Sequence, residues 1–229
     1  MVLWLALNGG LLLLAYLLGT IPTGYLAGQI LKGIDIRDYG SGSTGATNVL
    51  RTLGKGPAVL VLGVDVLKGI LAIVLMRGIY GLTPIGSLAP ESVQLVSWLP
   101  WMATLAGIVA ILGHSKSIWL GFTGGKSAAT GLGILLAMCW FVALGAAAVF
   151  GTALLLSRIV SLSSIAAAVA AVVLIAVANQ PPAYQLFAIA AGVYIIWRHQ
   201  TNIQRLLAGT EPRIGEKISQ DAEDGVMDG

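Results

Sequence analysis

Three polar clusters in this chain carry residue types suited to holding phosphates: Gly40 through Asn48 with Arg51, Gly124 through Ser127, and Arg198-His199 with Asn202. In the first, glycines let the backbone approach an anion closely. Ser41, Ser43, Thr44, Thr47 and Asn48 add side-chain hydrogen-bonding groups, and Arg51 supplies a planar fork matched to phosphate oxygens. In the second, Gly125 and Lys126 stand at the mouth of an apolar helix, where amides, dipole and ammonium all favour an anion. In the third, His199 and Asn202 lie three apart on one helical face, and a histidine there can carry a proton or orient a partner. Each cluster also has a plain reading: a solvated interfacial loop with Arg51 snorkelling to headgroups, a lysine anchoring a helix end, an idle interfacial histidine.

Two motif spellings fail in context. Gly40 to Gly45 matches G-x-G-x-x-G, but that fingerprint has meaning only between a strand and a helix, and here an apolar span precedes it. Gly125-Lys126-Ser127 resembles the end of a P-loop, yet Leu120 stands where the leading glycine belongs. An H-x-x-x-x-D acyltransferase signature is absent, since Trp119 and Gln204 lie five residues after the two histidines, and no G-x-S-x-G elbow surrounds Ser41 or Ser43. An acyl-serine intermediate is therefore not expected.

These clusters must be positioned by membrane helices. Hydrophobic residues make up 57% of the 229 and charged residues 10%, against roughly 25% charged in soluble domains, and the mean hydropathy is +0.88. The expected fold is all-α and polytopic, with about seven transmembrane helices in one membrane domain, residues 1–218, followed by an acidic, disordered cytosolic tail, residues 219–229. Apolar stretches run over 3–31, 56–80, 93–112, 128–157, 162–178 and 184–197. Lys and Arg concentrate in the links holding Lys32, Arg37, Arg51 and Lys55, then Lys116 and Lys126, and in the tail, which places those links and the C-terminus in the cytosol and the N-terminus outside. Lys126 and Arg158 both belong on the cytosolic side although about 30 apolar residues separate them, so that stretch is expected to fold as two short or partly re-entrant helices turning near Met138 to Gly145.

Asp65 and Lys68, three apart and well inside a span, should pair, in support of the first cluster's helix. The single cysteine, Cys139, excludes intramolecular disulfides and reads as a packing residue. No metal site and no cofactor are expected, and a net charge of +3 is too small and scattered to imply nucleic acid. A transporter of a phosphorylated solute is the competing function, with broken helices and midplane charge as its expected signs.

Taken in order, Gly40 to Arg51, Gly113-His114 through Lys126, Arg158 with Ser161 and Ser164, and His199-x-x-Asn202 with Glu211 resemble the PlsY family of bacterial membrane acyltransferases along nearly the whole chain. That resemblance implies an enzyme moving a fatty acyl group from acyl phosphate to the sn-1 hydroxyl of glycerol 3-phosphate, giving 1-acylglycerol 3-phosphate and inorganic phosphate. It further implies a multi-pass protein of the bacterial inner membrane, a site facing the cytosol, the lipid bilayer as partner and a functional link to the enzyme that makes acyl phosphate. Its catalytic positions fall on Ser41, His199 and Asn202, and its substrate-binding positions on Ser41, Thr47, Asn48, Arg51, Gly125, Lys126, Ser161, His199 and Asn202. Which cation meets which phosphate is open, and the proton acceptor is either a bound phosphate oxygen or His199. Two residues depart from the family pattern: Ser127 follows the lysine where a glycine is common, and Ser117 stands near the place of a proline.

Overall fold

The computed structural model describes residues 1–82, 85 and 88–216; the acidic tail expected over 219–229 lies outside them. Among the described residues there are ten α-helices and no β-sheet. They are α1 (Val2–Thr20), α2 (Thr23–Lys32), α3 (Ala46–Thr52), α4 (Lys55–Tyr80), α5 (Leu95–Ser115), α6 (Ala128–Met138), α7 (Trp140–Ser157), α8 (Val160–Val177), α9 (Pro182–Arg198) and α10 (Gln200–Leu207). Five apolar helical stretches are long enough to cross a bilayer, counting 2–32 as one, and the 17-residue α9 falls just short of them.

The first span differs from the uninterrupted helix expected over 3–31. It breaks at Ile21 and Pro22, because proline has no N–H to give the carbonyl four residues back. The break is put to use. Lys68 Nζ donates to the Ile21 carbonyl, at the break, at 3.1 Å and pairs with Asp65 at 2.8 Å, while the Thr23 hydroxyl donates to the same carboxylate at 3.3 Å. The Asp65–Lys68 pair therefore does form, but its polar partners lie at the α1–α2 break and not in α3, the first cluster's helix.

The apolar stretch after Lys126 divides at Cys139 into helices of 11 and 18 residues, not two of about equal length. At 1.5 Å per residue, α6 rises only about 16 Å, roughly half the hydrocarbon thickness, whereas α7 rises about 27 Å. A helix end at that depth strands carbonyls where no water can satisfy them. Arg77, a charge that hydropathy leaves inside an apolar stretch, meets this need by donating to the Ala137 carbonyl at 2.5 Å and to the Tyr184 hydroxyl. Cys139 is buried at the break, as a packing residue should be.

Close backbone approach joins α6 to α4. A Cβ at Gly133 would collide with the Val66 carbonyl, so glycine permits the contact that small residues provide in membranes generally. Gly63, also on α4, faces open space. Replacing Gly133 by Val should cost about 1–3 kcal/mol through overpacking and lower the unfolding temperature in detergent by several degrees. Gly63→Val, measured in the same thermal-shift experiment, should leave it within error.

Candidate functional site

The first cluster is shaped from within by Asn48, which is fully buried. Its carbonyl oxygen accepts from the Ser41 amide at 2.8 Å, and its amide donates to the carbonyls of Ile36, Tyr39 and Ser43 at 2.9–3.0 Å. Asn48 thus organises the loop that presents Ser41, Ser43 and Thr47, and its side chain has little capacity left for a ligand. Arg37, held by Asp35, donates from Nη1 to the Leu120 carbonyl at 3.2 Å and to Thr123 Oγ1 at 3.0 Å, stitching this loop to the one before Lys126. Arg51, on α3, makes no side-chain hydrogen bond or ion pair among the described residues and faces the cavity described below.

The second cluster is clamped from two sides. Arg198 Nη2 donates to the carbonyls of Gly124 and Gly125 at 3.2 Å each, and the Gly125 amide donates to the His114 carbonyl at 3.3 Å. A Cβ on Gly125 would collide with His114 Nε2, so the ring is seated directly against that glycine. On its other edge, His114 Nδ1 lies 3.6 Å from Asp65 Oδ1, beyond hydrogen-bonding distance, and has no other partner. Gly125 is therefore a packing position in the turn, and Lys126 is the residue the turn delivers to the cavity.

The third cluster meets the second through a chain of hydrogen bonds. The Lys126 ammonium donates to the Asn202 carbonyl oxygen, Asn202 Nδ2 donates to Glu211 Oε1 at 2.6 Å, and Ser161 Oγ donates to the same oxygen at 2.8 Å. Arg205 Nε completes the carboxylate at 2.7 Å. Because Lys126 precedes α6 and Ser161 follows α7, this chain brings both ends of the two-helix stretch to one level, so α6 and α7 form a hairpin. Glu211 had no place among the expected site residues; the one signal for it was its company with His199 and Asn202 in the family resemblance. Burial pushes its carboxyl upward, but the hydrogen bonds from Asn202, Arg205 and Ser161 outweigh that and hold it below the usual carboxylate range.

Lys126 is depressed to about 8, chiefly by burial and also by Arg205, Arg51 and Arg198, with Glu211 opposing. His199, buried, is lowered to about 4, first by burial. Its Nδ1 lies 2.7 Å from the Ile195 carbonyl, the arrangement in which Nδ1 carries the proton and Nε2 keeps a lone pair.

Ser41, Ser43, Thr47, Asn48, Arg51, Lys126, Ser161, His199 and Asn202 all line one cavity of 360 Å³, while Gly125 does not. Asp65, His114 and Glu211 share its polar end. Its other part, which no motif announced, runs between α6, α7, α8 and α9 and is walled by Leu132, Leu135, Phe150, Phe187 and a set of alanines. A smaller polar cavity of 190 Å³ shares Ser41, Ser43 and Lys126 with it and reaches the exposed Gln200 and Thr201.

Helical spans around a cationic chamber continuous with an apolar one define an integral membrane protein with an amphipathic cavity. The family model described as glycerol-3-phosphate acyltransferase matches residues 10–209. Proteins named glycerol-3-phosphate acyltransferase from Acaryochloris marina and a Nostoc species are each 59% identical, covering 97% and 96% of this chain and 100% and 97% of their own lengths. A crystal structure of PlsY (YgiH), an integral membrane glycerol 3-phosphate acyltransferase in its glycerol 3-phosphate form, superposes with a TM-score of 0.77 at 38% identity, covering 91% of this chain and 96% of that one. The lysophosphatidic acid form of the same protein also superposes with a TM-score of 0.77. This chain belongs to the glycerol-3-phosphate acyltransferase family of PlsY.

Both family departures have local explanations. Ser127 adopts φ 64°, the left-handed conformation glycine favours, and its hydroxyl donates to the Ile111 carbonyl at 3.0 Å. Ser117 has φ −68°, a value proline also holds, while its amide donates to the Thr123 carbonyl at 3.2 Å and its hydroxyl to the Thr20 carbonyl at 2.7 Å.

The seating of His114 on Gly125 gives a size-exchange test. Gly125→Ala should lower turnover at least about tenfold by displacing Lys126, a loss of about 1.4 kcal/mol. Adding His114→Ala vacates the space and should recover most of that loss in the same assay; no recovery would mean that the ring does more than fill the contact.

Proposed function

We propose that this protein transfers a fatty acyl group from acyl phosphate to the sn-1 hydroxyl of glycerol 3-phosphate. The products are 1-acylglycerol 3-phosphate and inorganic phosphate, in the first acylation step of phospholipid synthesis. The observation that carries this reading is the single cavity whose polar end gathers Arg51 and Lys126 and whose apolar part enters the helical bundle. Two phosphorylated substrates need two cationic anchors close together, and a fatty chain needs a path that never leaves apolar surroundings. The crowding of Lys and Arg on the links that carry the clusters supports a site on the cytosolic face of the bacterial inner membrane. Acyl phosphate then arrives from an enzyme acting at that surface.

An acyl phosphate is a mixed anhydride with a good leaving group, so catalysis consists mainly of positioning and charge neutralisation. The substrate's primary hydroxyl attacks the acyl carbon, a carbon–oxygen ester bond forms, and the bond from that carbon to the phosphate oxygen breaks. His199, neutral and with Nε2 free to accept, orients the hydroxyl together with Asn202, while Ser41 hydrogen-bonds at the reacting centre. Burial holds His199 neutral and a poor base, so a bound phosphate oxygen takes the proton in this reading. Arg51 and Lys126 hold the two phosphates and stabilise the charge on the departing one.

Purified protein in nanodiscs, supplied with acyl phosphate and glycerol 3-phosphate and no coenzyme A, should produce lysophosphatidic acid. Arg51→Ala and Lys126→Ala should each lower kcat/KM at least about a hundredfold with folding retained, as expected for charge-assisted contacts to the reacting groups. Product formed only from acyl-CoA would overturn the donor assignment, and no product from either donor would overturn the reading.

The pH profile follows from Lys126. Above about pH 8 its ammonium loses the charge that grips an anion, so kcat/KM should fall by up to about tenfold per pH unit on the alkaline side. His199 stays neutral well above 4 and should contribute no inflection between pH 5 and 8. Lys126→Arg keeps its charge at every accessible pH and should move the alkaline limb upward; an unmoved limb would remove Lys126 as its source.

A further inference from the structure

The apolar part of the cavity has a floor, and helical rise locates it. On α9 the lining runs from His199 to Phe187, about 18 Å; on α8 from Ser161 to Ala171, about 15 Å; on α6 from Ser127 to Leu135, about 12 Å. On α7 the lining residue farthest from the polar end is Ala146, about 16 Å from Ser157. Four helices therefore close the cavity at about one depth, near half of the roughly 30 Å hydrocarbon layer. Leu135, Ala146, Ala171 and Phe187 are all buried in one core cluster, which continues behind them through Met138 and Ile175.

Among these four, Phe187 carries the largest side chain. Its side chain is fully buried and its ring is seated against Gly107, where an added Cβ would meet Phe187 Cε2 at 2.8 Å. Ala146 and Ala171, at about the same depth, are small, so the ring of Phe187 is the bulkiest group at that level. Phe150, the other aromatic ring on the wall, sits only about 10 Å from the end of α7, beside the path and not at its end.

We propose that Phe187 is the specificity-determining residue for acyl-chain length: the chain of the donor descends from the phosphate end and stops on this ring. The inference rests on the proposed acyl-donor reading of the cavity. The donor's tail leaves lipid, which is as apolar as the bore, so burial as such discriminates little between chain lengths. Selection comes from the floor, which forces a chain that is too long to buckle or to withdraw its head from Arg51 and Lys126, whereas a shorter chain leaves the end unfilled.

The test is a competition. Purified protein in nanodiscs of one lipid composition receives an equimolar series of saturated acyl phosphates of graded length, and the lysophosphatidic acids are quantified by mass spectrometry. Phe187→Ala should raise the long-to-short product ratio about tenfold, within the range a pocket achieves per added methylene. Ala171→Leu, which raises the floor, should move the ratio the opposite way, and both variants should keep the wild-type KM for glycerol 3-phosphate. Active variants with unchanged length distributions would overturn the assignment of Phe187 while leaving the acyl-transfer reading intact. Wild-type protein that makes no product from any chain length would overturn that reading and this assignment with it. If Phe187→Ala does not fold, the opposite-signed shift in Ala171→Leu decides.

Discussion

Arg51, Lys126, Arg198 and Arg205 act on one another across the polar end of this bundle, and their mutual repulsion works against assembling a site that binds phosphates. The buried carboxylate of Glu211 resolves that conflict. One of its oxygens accepts from Asn202 and Ser161 and the other from Arg205, and Asn202 relays the interaction to Lys126. These contacts join the loop before α6, the start of α8, helix α10 and the segment after it, whose Ile214 amide also donates to the Arg158 carbonyl. A single anion paired with hydrogen-bond donors can hold such a group of cations where an unpaired charge could not remain buried. Positive charge remains for phosphates, because Glu211 is hydrogen-bonded to Arg205, Asn202 and Ser161 while Arg51 makes no side-chain hydrogen bond or ion pair among the described residues.

The unequal hairpin of α6 and α7 performs a second joint task. A full-length helix starting at Lys126 would carry the chain across the membrane and fill the centre of the bundle. By stopping halfway, α6 leaves room beneath the polar loops for the apolar chamber, with Leu132 and Leu135 on one wall. One carbonyl exposed by that stop, that of Ala137, is met by Arg77, and the close approach of α6 to α4 at Gly133 holds the short helix in place. Local departures from ideal helix, at Pro22 and at Cys139, thus coincide with the two points where a side-chain cation, Lys68 or Arg77, reaches a backbone carbonyl.

How much of this was legible depended on whether a residue acts through its type or through its place. The clusters around Ser41, Lys126 and His199 were readable only together, since each alone reads equally as an interfacial loop, a helix anchor or an idle histidine, and the hairpin followed from requiring Lys126 and Arg158 to share a side. The inward roles were not readable. Asn48 looks like a ligand donor until its amide is seen bound by Ser41, Ile36, Tyr39 and Ser43. Gly125 has the spelling of a phosphate turn but serves to seat the ring of His114. Hydropathy absorbed Arg77 into its stretch, since one charge barely alters a mean taken over many apolar residues. The apolar chamber left no trace in spacing, because alanines facing a cavity and alanines facing another helix are the same letters.

Ser117 and Ser127 show how the local backbone tolerates departures from a family pattern. A proline near position 117 would preset φ but could not donate; serine keeps nearly the same φ and uses both its amide and its hydroxyl to tie the loop to Thr123 and Thr20. At position 127 the left-handed conformation is retained without glycine, and the strain of placing a Cβ there is offset by the hydroxyl's bond to Ile111. Each serine exchanges a backbone preference for a specific hydrogen bond to a neighbouring helix. The turn bearing Lys126 is thereby fixed by tertiary contacts from α1, α5 and α9 more than by the intrinsic bias of its own residues. This is the condition under which a half-buried lysine can hold one position at the edge of a membrane.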